Sequence, residues 1–175
     1  MVSKTKTTPH TNTKIPQDHP NPHLYAAIKE RGRIYLEIFR ELSKRHGQSE
    51  AVSVLRAASH AHGTAVGEKL AHLAPRDFAG MVEGYALTPD RGVTYSTEVR
   101  ELTESCLEFK NMTCPLKESW EDAGCSDEEI CTLLHCASAW DQAALTAAGF
   151  DFELELWAPG REGCCRTRLT EKAAR

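Results

Sequence analysis

The 175-residue chain lacks any apolar run near the ~20 residues a membrane-spanning helix requires. It also lacks a positive field. Its 21 Lys and Arg stand against 25 Asp and Glu, a formal net charge of −4, which offers nothing to nucleic acid or an anionic membrane. Despite seven cysteines there is no Cys-x-x-Cys pair, so the spacing that marks a zinc ribbon is missing. The opening stretch, MVSKTKTTPHTNTKIPQDHPNP, has no apolar segment of the signal-peptide kind. Its Thr, Lys and Pro bury too little area to offset their ordering entropy, so residues 1–22 read as a disordered leader before a single domain at 23–175. The expected compartment is cytoplasmic. Persistent disulfides are disfavoured there, and the seven thiols read as buried, metal-binding or reactive.

What is present is first helical. Ile28, Tyr35, Ile38, Phe39 and Leu42 recur at helical spacing before Gly47. Ser49 then opens a second helix with a stripe at Val52, Leu55, Ala58, His62, Val66 and Leu70, which puts His62 on its inward face. Phe78, Met81, Val82 and Tyr85 mark a short third helix. After TPDRG the period falls to two, with Val93, Tyr95, Thr97 and Val99 alternating ahead of a second run from Cys106 to Met112. Pro115 starts a helix through Trp120, and Ser126 with Glu129 forms a capping box for a helix over about 127–148. Phe150, Phe152, Leu154 and Leu156 then alternate with acids, and 164–170 returns as a strand. Without βαβ alternation, the expectation is an α+β fold: N-terminal helices packed on a four-stranded antiparallel sheet of two hairpins, with helices between them.

Two positions stand out chemically. In HCASAWDQAAL (135–145), Asp141 lies about 20° from Leu134 and about 40° from Leu145 on a helix, within the apolar stripe. A carboxylate there must be paired, hydrogen-bonded or protonated. A structural acid tied to a backbone amide, or to Arg166 or Arg168, satisfies that as well as a catalytic one does. Cys136 points about 140° away from Asp141, so the two cooperate only if the helix breaks near residue 137. Cys114 precedes Pro115 at a strand end, where the positive end of a helix dipole lowers a thiol's pKa. A small buried hydrophobe is the alternative reading of the same residue.

A hairpin ending in TCP (113–115), a helix carrying Cys and Asp and closing on GF (HCASAWDQAALTAAGF, 135–150), then GREGC (160–164), resembles the L-2-amino-thiazoline-4-carboxylic acid hydrolase family over roughly residues 92–170. The Cys–Asp separation and the REGCCRTR segment, where the family pattern has acids after the glycine, depart from it. The resemblance implies a bacterial enzyme that opens a small heterocycle by adding water across a C=N bond, with Cys114, Cys136, Asp141 and Cys164 at the pattern's cysteine and acid positions. On that footing the expected chemistry is cofactor-free hydrolysis, with Cys114 as nucleophile and Asp141 as acid/base. Arg166 or Arg168 is expected to hold a substrate carboxylate. His62 and Trp120 complete the candidate substrate contacts.

Two other classes stay open at this point. One is a zinc site built from Cys114, Cys136, Cys164 and His135. The other is a non-catalytic binding or redox-sensing module. Separately, SCLEFKNMTCP reads equally as an edge strand that makes a homodimer.

Overall fold

A computed structural model describes residues 19–172. Two long helices come first, α1 (Pro22–His46) and α2 (Gln48–Leu70). A short helix α3 (Phe78–Met81) runs into a π turn at Val82–Ala86, and Phe78, Met81, Val82 and Tyr85 are all buried, as their spacing predicts. Then follow β1 (Thr97–Leu102), β2 (Cys106–Asn111), α4 (Pro115–Asp122), α5 (Asp127–Ala137), α6 (Ala139–Ala148), β3 (Phe150–Glu155) and β4 (Arg166–Glu171). The fold is α+β. Its strands lie in the order β1-β2-β4-β3, each pair antiparallel, so two hairpins join side by side through β2 and β4.

The sheet is two-faced because its side chains alternate. Leu107, Phe109, Thr167, Leu169 and Phe150 are buried. The opposite face is a ladder of charge: Arg166 pairs with Glu108 at 3.1 Å and Glu155 at 3.4 Å, and Arg168 pairs with Glu101 at 2.8 Å and Glu108 at 3.1 Å. Two apolar clusters fill the molecule. One, around Phe78, Tyr85, Phe109, Leu145 and Phe150, sits under the sheet. The other, around Leu36, Phe39, Leu55, Trp120, Leu133 and the thiols of Cys114, Cys136 and Cys164, sits among α1, α2, α4 and α5.

Several expectations shift. The leader expected at 1–22 falls mostly outside the described residues, but its end is tied down. The Asn21 side chain donates to Asp90 at 3.4 Å, the His19 ring lies 4.5 Å from that of Tyr25, and Pro22 already begins α1. The first strand starts at Thr97 and not at Val93, because residues 90–96 are held as a turn: the Asp90 carboxylate accepts from the Thr94 amide and hydroxyl.

The inward face of α2 is Ala51, Leu55, Gly63 and Gly67, offset from the expected stripe. A Cβ at Gly63 would lie 2.2 Å from the Trp140 carbonyl oxygen, and one at Gly67 would lie 2.1 Å from that of Ala144. Backbone against backbone decides this contact, and a count of large apolar residues misses it. His62 is therefore exposed, accepting from the Trp140 indole at 3.0 Å.

Candidate active site

The helix expected over 127–148 is broken at Ser138. Its cause is local. The His135 carbonyl, which would accept from residue 139 in a regular helix, accepts instead from the Ser138 hydroxyl at 3.0 Å and from Arg56 of α2 at 2.7 Å. Arg56 also reaches Gln142 beyond the break, at 3.3 Å. A new helix, α6, begins at Ala139 and carries Asp141 in its first turn.

Asp141 is partly buried, and its Oδ1 accepts from the Tyr85 hydroxyl at 2.7 Å. Tyr85 is itself buried, stacked on Trp140 with centroids 5.9 Å apart and edge-on to Phe109. Loss of water around the carboxylate raises its pKa to about 6, against the opposing pull of the Tyr85 hydrogen bond. The same burial, together with the Asp141 carboxylate, pushes the Tyr85 phenol well above its ordinary value. Tyr85 thus stays a donor.

The thiols converge from two other segments. Cys114 is the N-cap of α4, in extended conformation, with Pro115 in the first turn. Its sulfur is buried against that of Cys164, whose hydrogen bond is the leading cause that lowers the Cys114 pKa; the Lys117 and Leu116 amides of the first turn act in the same direction against burial. The donor's own thiol is pushed up by that bond. Cys164 reaches this place because the β2–β4 pairing continues past the strands: its amide donates to the Asn111 carbonyl at 2.8 Å, and the Asn111 amide donates to the Cys165 carbonyl at 2.9 Å. The Cys164 and Cys165 sulfurs lie 3.4 Å apart.

Tyr95 ties these groups together. Its carbonyl accepts from the Thr113 amide at 3.0 Å, which sets it beside Cys114. Burial pushes the pKa of its phenol up to about 12, with the charges of Cys114 and Asp141 raising it and that of Arg31 lowering it. Tyr85 in turn feels the charges of both Asp141 and Cys165. The Tyr85–Asp141 pair belongs to the first apolar cluster and the thiols of Cys114, Cys164 and Cys165 with Tyr95 to the second, and the Tyr95 phenol lies within electrostatic reach of both Cys114 and Asp141.

A match to a family model described as L-2-amino-thiazoline-4-carboxylic acid hydrolase spans residues 28–168. The chain belongs to that family. No curated protein and no solved structure matched it. The match takes in the N-terminal helices from Ile28 on, beyond the span 92–170 over which motifs are legible, so this hydrolase-family member carries the pattern through α1 and α2 as well.

Not every expected site residue of this hydrolase-family chain joins these groups. Cys136 is fully buried but lies beside Tyr35 and Arg56, and desolvation raises its pKa. Trp120 is fully buried too, its indole donating to the Gly32 carbonyl at 2.8 Å, so it locks α4 to α1 and has no open face for a substrate. Arg166 and Arg168 lie on the charged face of the sheet because strand alternation sends Thr167 and Leu169 inward. Arg166 borders a surface depression that Cys164 also lines, yet its guanidinium is already paired with Glu108 and Glu155. His135 is exposed at the end of α5, and among the described residues no three His, Cys, Asp or Glu side chains are grouped to hold a metal.

Sequence reasoning missed Tyr85 and Tyr95 as site residues, because they look like core and strand positions. Tertiary contacts disclose the two tyrosines, Tyr85 by its hydrogen bond to Asp141 and Tyr95 by its main-chain pairing with Thr113 beside Cys114.

Proposed function

We propose that the protein hydrolyses a small cyclic C=N compound, an amino-thiazoline or related cyclic amidine, without a cofactor. Cys114 is the nucleophile and Asp141 the acid/base. The observation that carries this reading is the Cys114 sulfur at the start of α4, its thiolate favoured by Cys164 and by the amides of Lys117 and Leu116. The Asp141 carboxyl, raised to about 6, supports the acid role across the shared neighbour Tyr95.

In the reaction the Cys114 thiolate forms an Sγ–C bond to the C=N carbon. The π pair moves to the ring nitrogen, which takes the Asp141 proton. The ring bond from that carbon to its other heteroatom breaks, the heteroatom leaves with the pair, and a cationic covalent adduct remains. Water adds to the adduct carbon and returns one proton to Asp141. As the Sγ–C bond breaks, the second water proton passes to the departed heteroatom and Cys114 is regenerated as thiolate. Tyr85, a donor throughout, orients the carboxyl by its 2.7 Å hydrogen bond.

Replacing Cys114 by Ser is expected to abolish ring opening of 2-amino-thiazoline-4-carboxylate while leaving the thermal melt in place. Turnover at the wild-type rate in that variant overturns the assignment. Trapping of a covalent adduct on the Cys114 peptide, seen by mass spectrometry of acid-quenched protein, is the positive counterpart.

A further inference from the structure

Along a strand, consecutive side chains leave on opposite faces, as Arg166 and Thr167 do in β4. Cys164 and Cys165 instead bring their sulfurs to 3.4 Å, and both thiols are free. A bend just ahead of β4 causes this. Gly163 takes φ +71, and a Cβ there would lie 2.8 Å from the Lys110 Cε and 3.2 Å from the Asn111 carbonyl oxygen, so the turn is pressed on β2. The two main-chain bonds to Asn111 then pin the backbone of both cysteines. Cys165 is partly exposed, and Cys164 lines a surface depression together with Lys110, Arg161, Glu162 and Arg166. Arg161 and Arg166 pair with Glu155, whereas Lys110 and Glu162 make no ion pair among the described residues.

We infer that Cys164 and Cys165 form a dithiol site that small peptide disulfides oxidise, closing a reversible Cys164–Cys165 disulfide. Cys165, the more exposed of the two, attacks one sulfur of the incoming disulfide as thiolate, forms a mixed disulfide and expels the other half as thiolate. That thiolate takes the Cys164 proton. The Cys164 sulfur, already in contact, attacks the Cys165 sulfur and expels the second half, which takes up the proton that Cys165 gave to water. The pair loses two electrons and the incoming disulfide gains them. Lys110 and Glu162 suit the carboxylate and the ammonium of a peptide disulfide. Cys114 is buried, so a reagent of that size meets Cys165 first. Adjacent Cα atoms stand about 3.8 Å apart across a trans peptide, below the roughly 4.4–6.8 Å of unstrained disulfides, and the closed pair is therefore readily reduced again.

The test treats the reduced full chain with glutathione disulfide, quenches it with iodoacetamide in denaturant and digests it with trypsin. Cleavage after Arg161 and Arg166 puts both thiols on one peptide, 162–166, while Cys114 falls on 111–117. The expected product is peptide 162–166 without alkyl groups and two hydrogens lighter than its reduced form. Alkylation of both its thiols, a lasting glutathione adduct on it, or a cross-link to 111–117 overturns the proposal. Cys164→Ser is expected to hold glutathione on Cys165, since no second thiol is left to displace it; an alkylated Cys165 in that variant removes it as the attacking group. Excess reduced glutathione is expected to return both thiols of the wild type, and a pair that stays closed refutes reversibility. Lys110→Ala is expected to slow closure about 2- to 5-fold, the scale of one exposed ion pair, and an unchanged rate strikes Lys110 from the site.

Discussion

At the scale of single residues, Asp141 has the clearest pH signature. Its carboxyl is near 4 in an unfolded chain and about 6 in the fold, raised chiefly by burial. A folded-state pKa above the unfolded one means the native form holds the extra proton, so this group favours folding below pH 4 and progressively loses that contribution as pH climbs through 6. Asp141→Asn keeps an oxygen for the Tyr85 hydroxyl and removes the ionisation. It is expected to gain on the order of 2 kcal/mol over the wild type at pH 7.5, and nothing at pH 4, in urea melts. In kinetics the same residue is expected to place the falling limb of kcat/KM near pH 6, because the first proton comes from its acid form; a limb that survives in Asp141→Asn removes it from that role. Cys114 gives the matching thiol result. Iodoacetamide is expected to label it before Cys136 or Cys106, whose burial raises their pKa, and peptide mapping after brief exposure checks the order.

Among the elements, the most consequential contacts involve residues with little or no side chain. Gly63 and Gly67 let α2 lie on α6, and the atoms a new Cβ would meet there are backbone carbonyls that cannot turn aside. Gly67→Ala is expected to cost about 2–4 kcal/mol in chemical denaturation and to disturb α6, which bears Asp141. The charged face of the sheet offers the contrast. Arg168→Ala removes pairs to Glu101 and Glu108 that are open to water, and it is expected to cost less than about 1 kcal/mol and to leave kcat and KM as they were.

The elements also show where the sequence is legible. The hairpins, the Cys–Pro helix start and the Ser126 cap follow from local signals and stand in the fold, with the Ser126 hydroxyl accepting from the Glu129 amide at 3.2 Å. The α2 face and the helix break do not follow from such signals. The first depends on two glycines meeting another helix, and the second on Arg56, 79 residues from the carbonyl it binds. The arithmetic that set Cys136 apart from Asp141 assumed one continuous helix. The break that would have let them cooperate is there, yet Cys136 still lies beside Tyr35 and Arg56, apart from Asp141 and its Tyr85 partner.

For the whole molecule, the candidate site's parts come from the π turn at Val82–Ala86, the turn before β1, the β2–α4 junction, α6 and the loop before β4. No helix among the described residues is long and apolar enough to cross a membrane.

Cys164 meets Cys114 only because the chain between β3 and β4 is laid back along Asn111 by two main-chain hydrogen bonds. A newly made chain therefore lacks the bond that most lowers the Cys114 pKa until its last strand has docked, and has only the Lys117 and Leu116 amides acting in that direction. Helices α4 and α5 can form early from local signals, but the reactive sulfur waits for a partner 50 residues further on. Refolding followed by two clocks, far-ultraviolet dichroism for the helices and pulsed alkylation for Cys114, is expected to show the chemistry awakening after the spectrum has settled. The chain is thereby spared a hot thiol during the interval when stray electrophiles and neighbouring sulfurs have freest access to it.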